Sequence, residues 1–273
     1  MMRRIFVTLI FSCSAVLVGG VSADGLRFVC VADEIKLGRE AQKQVKAEIP
    51  AIAGASQAYI ASIGRTLAAS ARGPKYPYTF SIANYREINA FALPGGPVWV
   101  HRGAIQAATS ESQLAGVLAH EIAHISQRHA ADQISKGVIA NGLLGLLGAV
   151  LGNSGGARTA QTGARILAGG YMMKFSRDDE READRVGVEI MRRAGWDARG
   201  MLEFMQTLRA RAGRDPASVE VFLSTHPSPA DRVERLRGQL RQVRAGGRRD
   251  SDEFARIRAT LAHMPPARAM PKR

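Results

Sequence analysis

Residues 114–130 read LAGVLAHEIAHISQRHA, and three of the chain's six histidines fall within them. His120 and His124 are four positions apart. On a helix, at about 100° and 1.5 Å per residue, their side chains lie about 40° and 6 Å apart on one face, so both imidazoles can reach one ion. Glu121 follows His120 directly, which sets a carboxylate beside that ion without making it a ligand. This HExxH pattern holds zinc on two histidines and uses the glutamate as a general base. The plainer alternative, a pair of core histidines with a surface glutamate, does not account for so specific a spacing in a chain with so few histidines.

Two histidines are not enough, because a catalytic zinc takes three protein ligands and keeps one position open for water. His129 is a poor third ligand. On one continuous helix it has turned about 140° away from His124, and it is expected to be structural or exposed. The segment RDDEREAD offers better groups. Glu180 and Asp184 are four apart and share a helical face, so Glu180 could bind the ion while Asp184 accepts the outer N–H of a ligating histidine. Glu182, about 200° round from Glu180, is expected to face solvent. Spacing alone fits an ordinary charged helix, and it is the need for a third ligand that singles out Glu180. His226, in the proline-bounded loop STHPSP, is a further candidate. A lone loop histidine is ordinarily solvated, but an open zinc position would accept an imidazole. His226 would then either bind zinc and displace water, or swing aside and donate a hydrogen bond to a tetrahedral oxyanion.

Helices must carry these groups. DEIKLGREAQKQVKAEI, ended by Pro50, and YIASIGRTLAAS both show apolar residues at helical spacing. After the turn RGPKYP, Tyr78, Phe80 and Ile82 alternate along a strand. INAFALPGGPVWVHRG holds two more strands around LPGGP, for an expected three-stranded antiparallel sheet. Ser110 and Gln113 form a capping box that opens the histidine helix. The most apolar internal segment, Gly137 to Gly152, is expected to be a buried or lid-forming helix over the cleft. NSGGARTAQTG reads as a connector, and Gly195 ends the helix that carries Glu180. Further helices are expected over MLEFMQTLRAR, after Pro229 and over DSDEFARIRATLAHM, with PPARAMPKR disordered. The fold class that follows is α+β, mostly α-helical.

At 273 residues and 46% hydrophobic content the chain can build a substantial core. MMRR followed by an apolar run from Ile5 to Val18 reads as a signal peptide, with cleavage expected after Ala23. Lipoprotein cleavage before Cys13 and retention of the segment are the alternatives. Cleavage after Ala23 would leave Cys30 alone in an exported chain, without an internal disulfide. Half of the net charge of +14 falls between Asp231 and Arg273, where 12 Lys/Arg face five Asp/Glu. An exported protein rarely meets nucleic acid, so no nucleic-acid partner is expected. A solvated basic tail or contact with an anionic membrane surface are the readings left.

HEIAHISQRH followed by FSRDDEREADRVG, together with INAFALPGGPVWVHRG and STHPSP, resemble the CAAX-prenyl-protease-type family of HExxH zinc metallopeptidases, most closely its periplasmic branch. The resemblance covers about Asp33 to Leu240. It implies a zincin-like metallopeptidase domain with zinc on His120, His124 and Glu180, and Asp184 behind the ligands or acting as a proton donor. It also implies an edge strand in INAFALPGG along which a substrate peptide lies, and that the STHPSP motif approaches the metal. Periplasmic relatives of this kind often carry a C-terminal helical repeat domain, and this sequence ends at Arg273 after a basic stretch, so their partners are not carried over.

The expected organisation is a signal peptide over 1–23, a metallopeptidase domain over 24–240 and a basic tail over 241–273. The expected function is a zinc endopeptidase of the bacterial periplasm that cleaves unfolded or misassembled polypeptides, one Zn²⁺ per chain. The competing expectation is a chaperone-like or scaffold protein for outer-membrane precursors, with a closed or structural zinc site.

Overall fold

A computed structural model describes residues 29–141, 173–227, 229–243 and 245–271. The expected signal peptide, the connector and most of the apolar segment Gly137 to Gly152 lie outside these residues. Among the described residues no helix is long and apolar enough to cross a membrane.

Helix α1 (Val31–Glu48) starts where the Cys30 amide and thiol both donate to Asp33 Oδ2, at 3.3 and 3.0 Å, and it stops before Pro50. It buries Leu37, Ala41 and Val45. Helix α2 (Ala55–Ala69) buries Ile60, Ile63 and Leu67, the face that its helical spacing indicates.

Strands β1 (Ala51–Ile52), β2 (Thr79–Ala83), β3 (Ala90–Ala92) and β4 (Pro97–His101) form one sheet in the order β1-β2-β4-β3. This corrects the expected three-stranded antiparallel sheet in two ways. β1 adds a fourth strand, and its two residues are too few to leave a periodic signal. β4 pairs parallel to β2, with Ser81 opposite Trp99, because the chain first crosses to the outer edge to lay down β3. It then returns antiparallel, Phe91 opposite Trp99. Alternation sets the two faces of a strand but says nothing about its direction. The LPGG turn makes this return possible. Gly95 has φ +72°, and a Cβ there would lie 2.5 Å from the Glu34 carbonyl oxygen of α1, so the turn and α1 lock together.

A short helix α3 (Arg102–Ala107) leads into α4 (Glu111–Ser126), every residue of which is buried. A helix surrounded on all sides reads as apolar all round, which is why the histidine helix lacks a polar stripe. Its N-terminus is capped by Ser110 Oγ, which accepts from the Gln113 amide at 3.3 Å, while the Gln113 side chain accepts from the Thr109 amide at 3.1 Å. Helices α5 (His129–Asn141), α6 (Arg177–Arg193) and α7 (Arg199–Ala212) follow. After a 3₁₀ turn (Pro216–Ser218) come α8 (Glu220–Thr225), α9 (Pro229–Arg241) and α10 (Asp252–His263). α6 and α4 approach closely at Gly187, where a Cβ would stand 3.4 Å from the backbone of Ala119 and His120 and 2.6 Å from Met201 Cε.

The C-terminal stretch packs onto this body. Phe254, Ile257 and Leu261 of α10 enter the main core. Beyond it, Arg102 donates to the carbonyls of Pro265 (2.7 Å) and Met264 (3.1 Å), and the backbone of Arg268 exchanges hydrogen bonds with Asn84 and Arg86. PPARAMPKR was expected to be disordered. Its residues as far as Met270 are instead docked through backbone groups, which composition does not reveal. Part of the basic charge is consumed internally. Arg232 is buried, Arg248 pairs with Glu111 at 2.7 Å, and Arg249 pairs with Asp197 at 2.9 Å and Glu203 at 2.7 Å.

Candidate metal centre

Three elements converge on one buried point. α4 presents His120 and His124 to α6 and to the end of α8. α6 begins at a reciprocal cap between Ser176 and Asp179, at 3.1 and 2.9 Å, which sets Glu180 in its first turn. His226 follows α8, its amide bonded to the Phe222 carbonyl at 2.8 Å.

Donor atoms of His120, His124, Glu180 and His226 all lie within 4.8 Å of one another, and all four residues are buried. His124 Nε2 is 3.0 Å from His120 Nε2 and 3.4 Å from Glu180 Oε1. His226 Nδ1 is 3.3 Å from His120 Nε2 and 2.9 Å from Glu180 Oε1. A tetrahedral ion with bonds of about 2.0–2.1 Å imposes ligand separations of about 3.3 Å. Three imidazole nitrogens and a carboxylate at that spacing fit zinc.

The groups behind these donors are equally ordered. His120 Nδ1 lies 3.1 Å from Asp184 Oδ1, which fixes the ring with Nε2 toward the cluster. Asp184 accepts two hydrogen bonds from Arg232, at 2.8 Å from Nε and 2.7 Å from Nη2. Arg232 Nη1 is also 2.8 Å from Glu180 Oε2, an ion-pair contact rather than an aligned hydrogen bond. The ring of Phe175 stacks on His124 with centroids 3.9 Å apart. Glu121 is fully buried, and neither carboxylate oxygen has a hydrogen-bond partner among the described residues. Its closest basic group is His226 Nε2, 3.6 Å from Oε1.

Burial sets the direction at two of the site's groups and is outweighed at three. It pushes the Glu121 carboxyl above its usual range and His124 well below it. At Glu180 burial is outweighed by His226 and Arg232, which hold the carboxyl well below its usual range. Asp184 is lowered against burial chiefly by Arg232. At His120 burial and Arg232 are outweighed by hydrogen bonds to Asp184 and Glu180, and its pKa stands at about 9.

The structure thus brings together His120, His124, Glu180 and His226, with Glu121 and Asp184 beside them. His129 is outside the donor set, as expected, but it does not turn away from His124. α4 ends at Ser126, and Arg128 adopts φ +67°, so the chain reverses and His129 opens α5. It is buried, with Nδ1 2.9 Å from His124 Nδ1. The 140° separation holds only on one unbroken helix, and the break at Arg128 removes it. Glu182 is 43% exposed, as expected, yet its Oε2 is 3.4 Å from His129 Nε2. Sequence reasoning passed over Arg232, although an arginine on the face of α9 that also buries Val233 and Leu236 is a recognisable signal. It also passed over Phe175, which no local pattern marks.

Residues 54–240 match the model of peptidase family M48. The chain is 32% identical over 240 residues to the beta-barrel assembly-enhancing protease of Escherichia coli (strain K12), covering 86% of this chain and 49% of that protein. The protein of the same name from Yersinia pestis is 33% identical over 233 residues, covering 82% and 48%. The mitochondrial metalloendopeptidase OMA1 of Schizosaccharomyces pombe is 36% identical over 151 residues, covering 54% and 42%. The chain spans about half the length of these relatives. A family match over well over half of the sequence, on a chain whose HExxH helix and glutamate helix meet at one buried donor cluster, places this protein in peptidase family M48.

Proposed function

We propose that this chain is a zinc-dependent endopeptidase that cleaves extended or locally unfolded polypeptides in an exported compartment, the bacterial periplasm. The observation that carries the reading is the fully buried Glu121 carboxylate, without a hydrogen-bond partner among the described residues, beside four buried donors. Leaving such a group unsatisfied costs about 1–3 kcal/mol or more, an arrangement expected where the group's partner is a reacting molecule.

His120, His124 and Glu180 would hold the ion, with Asp184 and Arg232 orienting His120 and Glu180. Zinc bound there would supply a Lewis acid that polarises the scissile carbonyl and acidifies water. Glu121 takes the proton of the attacking water and delivers it to the leaving amine nitrogen. Its raised pKa suits both steps, since it must bind the proton and then release it. β3 is the terminal strand of the sheet, and a substrate in extended form would add to it through backbone hydrogen bonds. Pairing of that kind selects for unfolded chain with little preference for sequence. Ala92, Leu93, Ile125 and Phe175 line a shallow recess between that strand and His124.

His226 completes a set of four donors, and we read it as the resting occupant of the position that water needs. This closed arrangement also supports a second reading, a protein that holds outer-membrane precursors around a structural zinc. A structural site has no use for Glu121, and for that reason the peptidase is preferred. Digestion of casein by the purified chain, abolished by a chelator and restored by zinc, tests the proposal. Absence of cleavage by the zinc-loaded, folded wild-type chain and by its His226→Ala variant alike would favour the holding protein.

A further inference from the structure

The two zinc-facing histidines of α4 have different outer partners. Behind His120 stands a carboxylate, Asp184, at 3.1 Å. Behind His124 stands another imidazole: the two Nδ1 atoms of His124 and His129 are 2.9 Å apart. We propose that His129 is a positioning residue, which holds the outer nitrogen of His124 and is itself oriented by Glu182.

The inference rests on the reading of this cluster as a zinc site, and the proton inventory of the two rings follows from it. His124 turns Nε2 toward His120 and Glu180, so Nε2 is its ligand atom. A neutral imidazole that binds through Nε2 carries its hydrogen on Nδ1, and that N–H requires an acceptor. His129 Nδ1 is the atom in place to accept it. His129 must then carry its own hydrogen on Nε2, which faces Glu182 Oε2 at 3.4 Å. Each step fixes the next tautomer, and the series ends at a carboxylate that is 43% exposed.

The backbone is arranged to create this contact. Arg128 takes φ +67°, a conformation that L-residues with a side chain seldom adopt, and the reversal there returns His129 to His124. The guanidinium of Arg128 is anchored on Glu34 at 2.8 Å and on the Val29 carbonyl at 2.5 Å. α6 therefore serves the ion three times: Glu180 as ligand, Asp184 behind His120, and Glu182 behind His129. Outer partners of zinc histidines are ordinarily carboxylates or carbonyls, and their loss lowers metal affinity by about 10–100-fold. An imidazole in that place makes the hold on His124 depend on one tautomer, and so on Glu182.

Chelator competition on the full chain reads zinc affinity without reference to activity, and cobalt substitution reports ligand geometry through its absorption bands. His129→Phe keeps the ring volume but removes the acceptor, and affinity should fall by about 10–100-fold. His129→Asn can accept through its side-chain oxygen and should recover part of that loss. Glu182→Ala changes a half-exposed residue, leaves folding intact, and should lower affinity several-fold in the wild-type background. In the His129→Phe background it should add nothing, because its effect passes through the imidazole. Wild-type affinity in His129→Phe, equal affinities for the Phe and Asn variants, or an additive effect of Glu182→Ala would overturn the proposal. A wild-type chain that binds no zinc would instead overturn the metal assignment itself, so the two failures are distinguishable.

Discussion

Arg232 grips both oxygens of Asp184, at 2.8 and 2.7 Å, and Asp184 in turn stands 3.1 Å from His120 Nδ1. A side chain on α9 thereby orients a ligand on α4 through a carboxylate on α6. Arg232→Met should destabilise the metal-free protein by about 3–5 kcal/mol, since it strips a buried ion pair of one member. Arg232→Lys keeps the charge but loses the fork and should fall between the two. Denaturant unfolding of the three chains without metal checks this, and equal midpoints would show that the pair adds nothing to the fold.

Glu180→Gln should weaken zinc binding more than Glu182→Gln does. Glu180 sits among the imidazole nitrogens, whereas Glu182 reaches the cluster only through His129. Chelator competition measures both, and equal affinities would mean that the third ligand has been misplaced.

His226→Ala should raise the rate of casein cleavage, because it clears the position that the resting imidazole fills, while zinc affinity falls with the loss of one of four donors. A lower rate with zinc retained would assign His226 to the oxyanion instead. Unchanged rate and affinity would remove it from the mechanism.

His101, on β4, is fully buried, and burial lowers its pKa from 6.5 to about 4. The unfolded chain therefore takes up the proton first. The stability carried by the neutral ring is present above the unfolded value of 6.5 and is lost as the pH falls from there toward about 4. Melting temperatures of wild type and His101→Gln, followed from pH 7 to pH 4, should show the wild type losing more over that window. Parallel curves would contradict the assignment.

How much of this was legible in the sequence depended on whether a relationship was local. His120, Glu121 and His124 lie on one helical turn, and Glu180 and Asp184 on another, so helix periodicity paired His120 with His124 and Glu180 with Asp184, while the need for a third ligand singled out Glu180. The two residues of β1 carry no periodic pattern, and strand direction depends on a crossover that no strand records. The direction of His129 is not legible, because a single residue, Arg128, leaves the helical region, and arginine carries none of the usual marks of a helix stop. Arg232 could have been found as a charge on an apolar face. Phe175 reaches His124 only through the tertiary fold.

The central claim is that Glu121 is the base of a zinc peptidase, and zinc content measured together with casein digestion in wild type and Glu121→Gln tests it most directly. Both proteins should hold about one zinc per chain, because Glu121 is not a ligand. Cleavage should fall by about 10²–10⁴-fold in the variant, the usual contribution of a positioned base. Cleavage at the wild-type rate by a zinc-loaded Glu121→Gln chain, with contaminating proteases excluded, would contradict that claim.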